Sequence, residues 1–188
     1  MASFHVGIWW QYLLWNLAGF GVALVVDSFV EWAVHRWIMH KRNPILPYGY
    51  KHTTSHHATF KSDLTYMALN AEMLEHGVAF TWREFVLFPL LCSAIYIPAE
   101  LLLRRPIYLG CMAAVFLGLI AFNVLHFRFH VPQGGWLERT RAFRLLNRHH
   151  LLHHERMNRN LNVVFPLADV IMRTLVMEPA DPKRTIPL

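Results

Sequence analysis

Ten of the thirteen histidines in this 188-residue chain stand in four short windows. The densest is His150-Leu151-Leu152-His153-His154. There His150, His153 and His154 have the i, i+3, i+4 spacing that sets three imidazoles on one side of a helix. His35 and His40 stand five apart, His52, His56 and His57 form a second triplet, and His126 and His130 form an i, i+4 pair. Imidazole is the commonest side-chain metal ligand, and three on one helix face rarely arise from packing. Ten imidazoles exceed what one ion can hold, and two tetrahedral zinc sites need at most about eight ligands. Two ions with about five nitrogens each, plus open positions for water or oxygen, fit better. Imidazole alone does not choose among zinc, copper, nickel and iron.

The neighbouring polar residues read as support. His149 is rotated about 100° from His150 on a helix and falls outside the ligand face. His35 and His40 lie about 140° apart on an α-helix, so either the helix ends between them or they serve different metals. His76, with Glu72 and Glu75, lacks the Glu-x-x-His pattern of soluble di-iron bundles and reads as a supporting or surface residue. Asp27, Glu31, Glu155 and Asp169 are candidate acceptors for orienting ligand imidazoles.

Those histidines must be positioned by helices in a membrane. Hydrophobic residues make up 55% of the chain, and its mean hydropathy is +0.27. With two cysteines, Cys92 and Cys111, both in apolar runs, a disulfide scaffold and a cysteine zinc finger are excluded. Ile8 to Val26 carries no charge and is long enough to cross a bilayer. It reads as a span rather than a secretory signal, because a basic n-region and a small-residue cleavage site are missing and the pattern runs on through Asp27, Glu31 and His35. Trp9, Trp10, Tyr12 and Trp15 suit an interfacial aromatic belt. Residues 41–63 are polar and turn-rich. Ser62 is expected to cap an interfacial helix over about Asp63 to Trp82. Phe85 to Leu103 and Ile107 to Leu125, separated by Arg104-Arg105-Pro106, form an antiparallel transmembrane hairpin. Pro132 to Gly135 is a loop, Trp136 to about Arg156 an amphipathic helix, and the tail from Pro179 irregular.

The expected fold is one all-α integral membrane domain over residues 1–188, with spans at about 8–34, 85–103 and 107–125. An interfacial helix and a cytoplasmic helical cap holding a di-metal site complete it. Three spans place residues 35–83 and 126–188 on one side, and those stretches carry sixteen of the eighteen Lys and Arg. The positive-inside rule makes that side cytoplasmic, and all four histidine windows fall there. The net charge of +6 thus reads as topology and contact with anionic headgroups, and nucleic-acid binding is set aside.

His35-Arg-Trp-Ile-Met-His40, His52-Thr-Thr-Ser-His56-His57, His126-Phe-Arg-Phe-His130 and His150-Leu-Leu-His153-His154 resemble, in order and spacing, the histidine boxes of the membrane fatty acid hydroxylase and sterol desaturase superfamily of di-iron enzymes. Asn162-Val-Val-Phe-Pro-Leu-Ala-Asp169 with Arg173-Thr174 resembles that superfamily's closing segment, and the likeness covers about residues 30–175. It implies that His35, His40, His52, His56, His57, His126, His130, His150, His153 and His154 hold two iron ions. It further implies that O₂ is the cosubstrate and that a lipid-like molecule, foremost a fatty acyl chain, is hydroxylated. With no fused cytochrome b5 domain, a separate ferredoxin, cytochrome b5-like protein or reductase must supply electrons. The short chain leaves little protein for a deep substrate cap, which disfavours a bulky sterol. Desaturation or oxidation of a carotenoid or another hydrophobic substrate are the alternatives at the same site. A non-catalytic membrane metal-binding protein is the reading from a different class.

Overall fold

The computed structural model describes residues 3–42, 44, 49–77 and 79–180, with side chains from Trp9 onward. Among them every regular element is helical: α1 (Ser3–Val34), α2 (His57–Thr59), α3 (Trp82–Leu103), α4 (Tyr108–His130), α5 (Arg141–Glu155) and α6 (Leu167–Ile171), with short π and 3-10 turns between. Three stretches, Trp9–Met39, Trp82–Leu103 and Tyr108–His130, are long and apolar enough to cross a membrane. Part of the turn-rich stretch (43 and 45–48) and the end of the tail (181–188) lie outside the described residues. The chain forms two compact units, one of residues 1–27 and 80–120 and the other of 28–79 and 121–188.

The first unit is a helical packing with an apolar interior of Ala23, Cys92, Tyr96, Cys111, Ala114 and Val115. Thr81 and Glu84 form a capping box at the start of α3, and Arg104, in the left-handed conformation at φ 51°, ends it. The Glu100 carboxylate then accepts the Tyr108 N–H at 2.6 Å and caps α4. Small residues let α1 and α4 touch through their backbones. The Gly110 N–H donates to Asn16 Oδ1 at 2.8 Å, and a Cβ on Gly110 would stand 1.8 Å from the Asn16 carbonyl oxygen. Such close approach is how helices associate where lipid removes the hydrophobic drive.

In the second unit the expected interfacial helix over 63–82 is absent. The stretch instead holds two 3-10 turns, Leu64–Tyr66 and Glu72–Glu75. Local side chains break it up. Asp63, not Ser62, caps the first turn by accepting from the Thr65 N–H at 2.8 Å, and Asn70 Oδ1 captures the Met73 N–H at 3.1 Å. The Ala68 N–H is drawn to the His130 carbonyl at 2.8 Å, Gly77 turns at φ 78°, and Trp82 begins the next helix instead of ending this one. The amphipathic helix likewise starts later than Trp136. Leu137–Arg139 is a 3-10 turn, and extended Thr140 caps α5 by accepting from the Phe143 N–H at 3.2 Å.

Gly110→Val places side-chain carbon where the Asn16 backbone sits, and the helices must separate. Overpacking of this kind costs about 1–3 kcal/mol or more. The expected outcome is a lower midpoint for thermal unfolding in detergent, read by fluorescence-detected size exclusion. An unchanged midpoint would refute the close-contact account.

Candidate metal centre

The four histidine windows converge within the second unit. His35, His40, His52, His57 and His153 form one group and His56, His126, His130 and His150 another, with the candidate ligand nitrogens of each group all within 4.8 Å of one another. His154 adjoins the second group: its Nε2 lies 3.2 Å from that of His56 and 3.1 Å from that of His150. Among the described residues no carboxylate or thiol belongs to either group.

Two π turns make the first group possible. In an α-helix residues five apart diverge, but a π turn closes its hydrogen bond from i to i+5 and brings them to one face. His35–Met39 is such a turn, with the His40 N–H on the His35 carbonyl at 3.1 Å. His52–His56 is another, closed by the His57 N–H on the His52 carbonyl. Both i, i+5 pairs therefore land in one group, which answers whether His35 and His40 part company. On α5 the expected i, i+3, i+4 face holds, although His153 reaches into one group while His150 and His154 face the other.

A second layer fixes which nitrogen each ring presents. Main-chain carbonyls accept from Nδ1 of His35 (Leu161, 2.5 Å), His130 (Tyr66, 2.6 Å), His153 (Arg159, 2.7 Å), His154 (Phe60, 2.6 Å) and His56 (His76, 3.3 Å). A carbonyl can only accept, so Nδ1 carries the proton and a neutral ring leaves Nε2 bare. The Nε2 atoms of these rings face those of their neighbours. Nε2–Nε2 separations are 3.0 Å for His35–His52, 3.1 Å for His40–His153, 3.1 Å for His57–His52, 3.2 Å for His153–His57 and 3.2 Å for His130–His150.

Lone pairs crowded in this way repel unless a cation lies among them. With metal–nitrogen bonds of about 2.1 Å, ligands at right angles stand about 3.0 Å apart and tetrahedral ones about 3.4 Å. The observed spacings sit near the first value, so the residues fit a metal with more than four ligands.

Burial keeps these rings neutral. Loss of solvation, reinforced by neighbouring imidazoles, pushes His52, His56, His57, His150, His153 and His154 well below the ordinary histidine value of 6.5, and desolvation with His35 takes His40 down to about 2.

The acids act one step further back than expected. Asp27 accepts from the Tyr96 hydroxyl at 2.8 Å. Glu31 accepts from the Val163 N–H at 2.7 Å and from Asn162 Nδ2 at 3.1 Å. Asp169 is fully buried and gathers the loop that serves His35. It accepts from the N–H groups of Leu161 (2.9 Å) and Asn162 (2.8 Å) and from the Thr174 hydroxyl (2.6 Å). Burial raises its pKa, but His149, Thr174 and the two backbone donors outweigh that and hold it below the usual carboxylate range. His149 is buried outside both groups with Nε2 3.3 Å from Asp169 Oδ2. His76 gives its carbonyl to His56 and its Nδ1 meets Ser55 Oγ at 2.9 Å. The carbonyl acceptors, the π turns and Thr53, whose hydroxyl meets His40 Nδ1 at 3.0 Å, carry no sequence signal that would have found them.

The profile of the fatty acid hydroxylase family matches residues 20–174. No curated protein and no solved structure matches the chain.

Asp169→Asn puts an amide against backbone donors and loosens the Leu161 carbonyl that aims His35. Supporting changes of this kind typically lower metal affinity about 10–100-fold. Reduced metal per protein by elemental analysis is expected, and full occupancy would show that Asp169 does not govern the site.

The pH dependence has a definite sign. Below 6.5 an unfolded chain takes up protons that the buried imidazoles refuse, so stability is complete above that pH and is lost as pH falls. Protease sensitivity of the second unit should rise between pH 7 and pH 5, in the same direction as proton competition for metal. Unchanged sensitivity across that range would contradict it.

Proposed function

The chain belongs to the fatty acid hydroxylase family, and on that footing we propose that it is a membrane oxygenase that uses two iron ions and O₂ to hydroxylate a lipid, foremost a fatty acyl chain. The observation that carries this reading is the pair of converging imidazole groups, in which carbonyls hold Nδ1 of His35, His56, His130, His153 and His154. His35, His40, His52, His57 and His153 would hold one ion, and His56, His126, His130, His150 and His154 the other. Iron bound there with O₂ supplies an oxidant able to attack an unactivated C–H bond, which redox-inactive zinc does not.

The overall change balances as R–H + O₂ + 2 e⁻ + 2 H⁺ → R–OH + H₂O. The electrons come from a separate donor, a ferredoxin, a cytochrome b5-like protein or a reductase. The protein's part is to position and to exclude. Carbonyl-locked rings need little reorganisation to bind, and the buried setting keeps bulk water from the reacting carbon. Three apolar helices give a lipid substrate a bilayer route to the enzyme. The concentration of Lys and Arg in residues 35–83 and 126–188 supports a cytoplasmic site, where soluble electron donors are found.

Lipid extracts from cells making the intact protein or His150→Ala, grown under ¹⁸O₂ and compared by high-resolution mass spectrometry, test the proposal. A lipid gaining one labelled oxygen only with the intact protein is expected, and its class names the substrate. A lipid losing two hydrogens instead would replace hydroxylation by desaturation. If purified protein needs only a redox-inactive metal, the oxidative reading falls.

A further inference from the structure

We propose that the segment from Phe165 to Met172, carrying α6, lies in the membrane interface with its outer side chains seated among lipids. The segment is apolar on its outer side, and inward it sets Ala168 beside the buried Asp169. Ala168 packs inward in a buried cluster with Trp32 and Leu161. Outward, Phe165, Val170, Ile171 and Met172 are 46%, 54%, 56% and 44% exposed. Four large apolar side chains on one short stretch form a patch that water-facing surfaces of folded proteins rarely carry. The exposed positions near the start of α5 differ, since they include Arg141 and Arg144.

What covers the patch follows from its anchor. The Ser28 hydroxyl donates to the Phe165 carbonyl at 2.7 Å and accepts from the Ala168 N–H at 3.0 Å. The segment is thereby fixed beside Ser28 of α1, which belongs to a membrane-crossing stretch. The uncharged run from Ile8 to Val26 rises about 28 Å at 1.5 Å per residue, close to a hydrocarbon core of about 30 Å. Ser28 therefore stands where hydrocarbon gives way to headgroups. Interfacial groups follow Ser28 on α1 and its closing π turn: Trp37 is half exposed, and the Arg36 guanidinium lies 5.1 Å from the centre of the Trp32 ring. The segment also suits low polarity, because N–H groups of Leu167, Val170 and Met172 donate to the carbonyls of Phe165, Pro166 and Ala168.

The unaltered protein in nanodiscs containing a diazirine-labelled phosphatidylcholine, irradiated and mapped by peptide mass spectrometry, provides the test. Adducts on residues 165–172 should exceed those on the exposed Glu72–Glu75 turn several-fold. Labelling of the spans without labelling of 165–172 would overturn the proposal. As a second measurement, Ile171→Cys, with Cys92 and Cys111 replaced by Ala, carries a nitroxide. Collisions with oxygen should exceed those with a water-soluble nickel complex, as for Leu117→Cys in α4 and unlike Glu72→Cys. Nickel-dominated collisions would mean a water-facing patch. Weak collisions with both would mean a protein contact, such as a second copy of this chain. Either result refutes a lipid-facing patch.

Discussion

Ring nitrogens converging at about 3 Å are the constraint on which the site depends. An imidazole relieves such crowding by taking a proton or by binding a cation. Burial closes the first route, since a charged ring inside loses its solvation and meets other rings. The fold therefore keeps an arrangement suited to holding metal. Its loops and turns read as devices for holding that arrangement: π turns that align residues five apart, carbonyls that take Nδ1 protons, and an irregular 63–77 stretch that delivers the Tyr66 carbonyl to His130.

The closing segment works as a buckle on the end of α1. Asn160, left-handed at φ 52°, adopts a conformation that asparagine tolerates better than most residues. Its side chain donates to the carbonyls of His149 and Val176, and its Oδ1 accepts from the Val176 N–H. Asn162 joins the Ser28 carbonyl and Glu31 to Asp169. Trp32 Nε1 donates to the Thr174 hydroxyl at 2.9 Å, and that hydroxyl donates to Asp169. Each bond alone contributes about 1 kcal/mol. Together they leave the Leu161 and Arg159 carbonyls one place to be, and those carbonyls aim His35 and His153.

Much of this was legible in the sequence. Unbroken apolar runs marked the three candidate spans, and histidine spacing brought out the ten rings that the second unit gathers. Geometry that depends on local hydrogen bonding was hidden. Asp63, Asn70 and Gly77 divert a plausible helix into turns, and no periodicity records that the Ala68 N–H prefers the His130 carbonyl to a helical partner. The π turns were hidden for a related reason: α-helical angles applied to His35 and His40 predict divergence where an i to i+5 bond creates alignment. Asp169 was visible as an acid near the site, but its action through the Leu161 backbone was not.

The choice of carbonyls over carboxylates as partners for Nδ1 has its own consequence. A carboxylate at that position would fix the tautomer equally well but would add negative charge beside the ligand and raise its basicity. A carbonyl fixes the tautomer and stays neutral. Neutral rings, five of them backed by neutral carbonyls, would leave the charge of any bound ions largely uncompensated within the groups. The acid nearest the loop, Asp169, spends its lone pairs on backbone N–H groups and Thr174. Ions held there would need compensation from anions or oxygen ligands. The same neutrality explains why burial is tolerable before metal arrives: ten buried carboxylates would tear the unit apart, whereas ten neutral imidazoles merely crowd it.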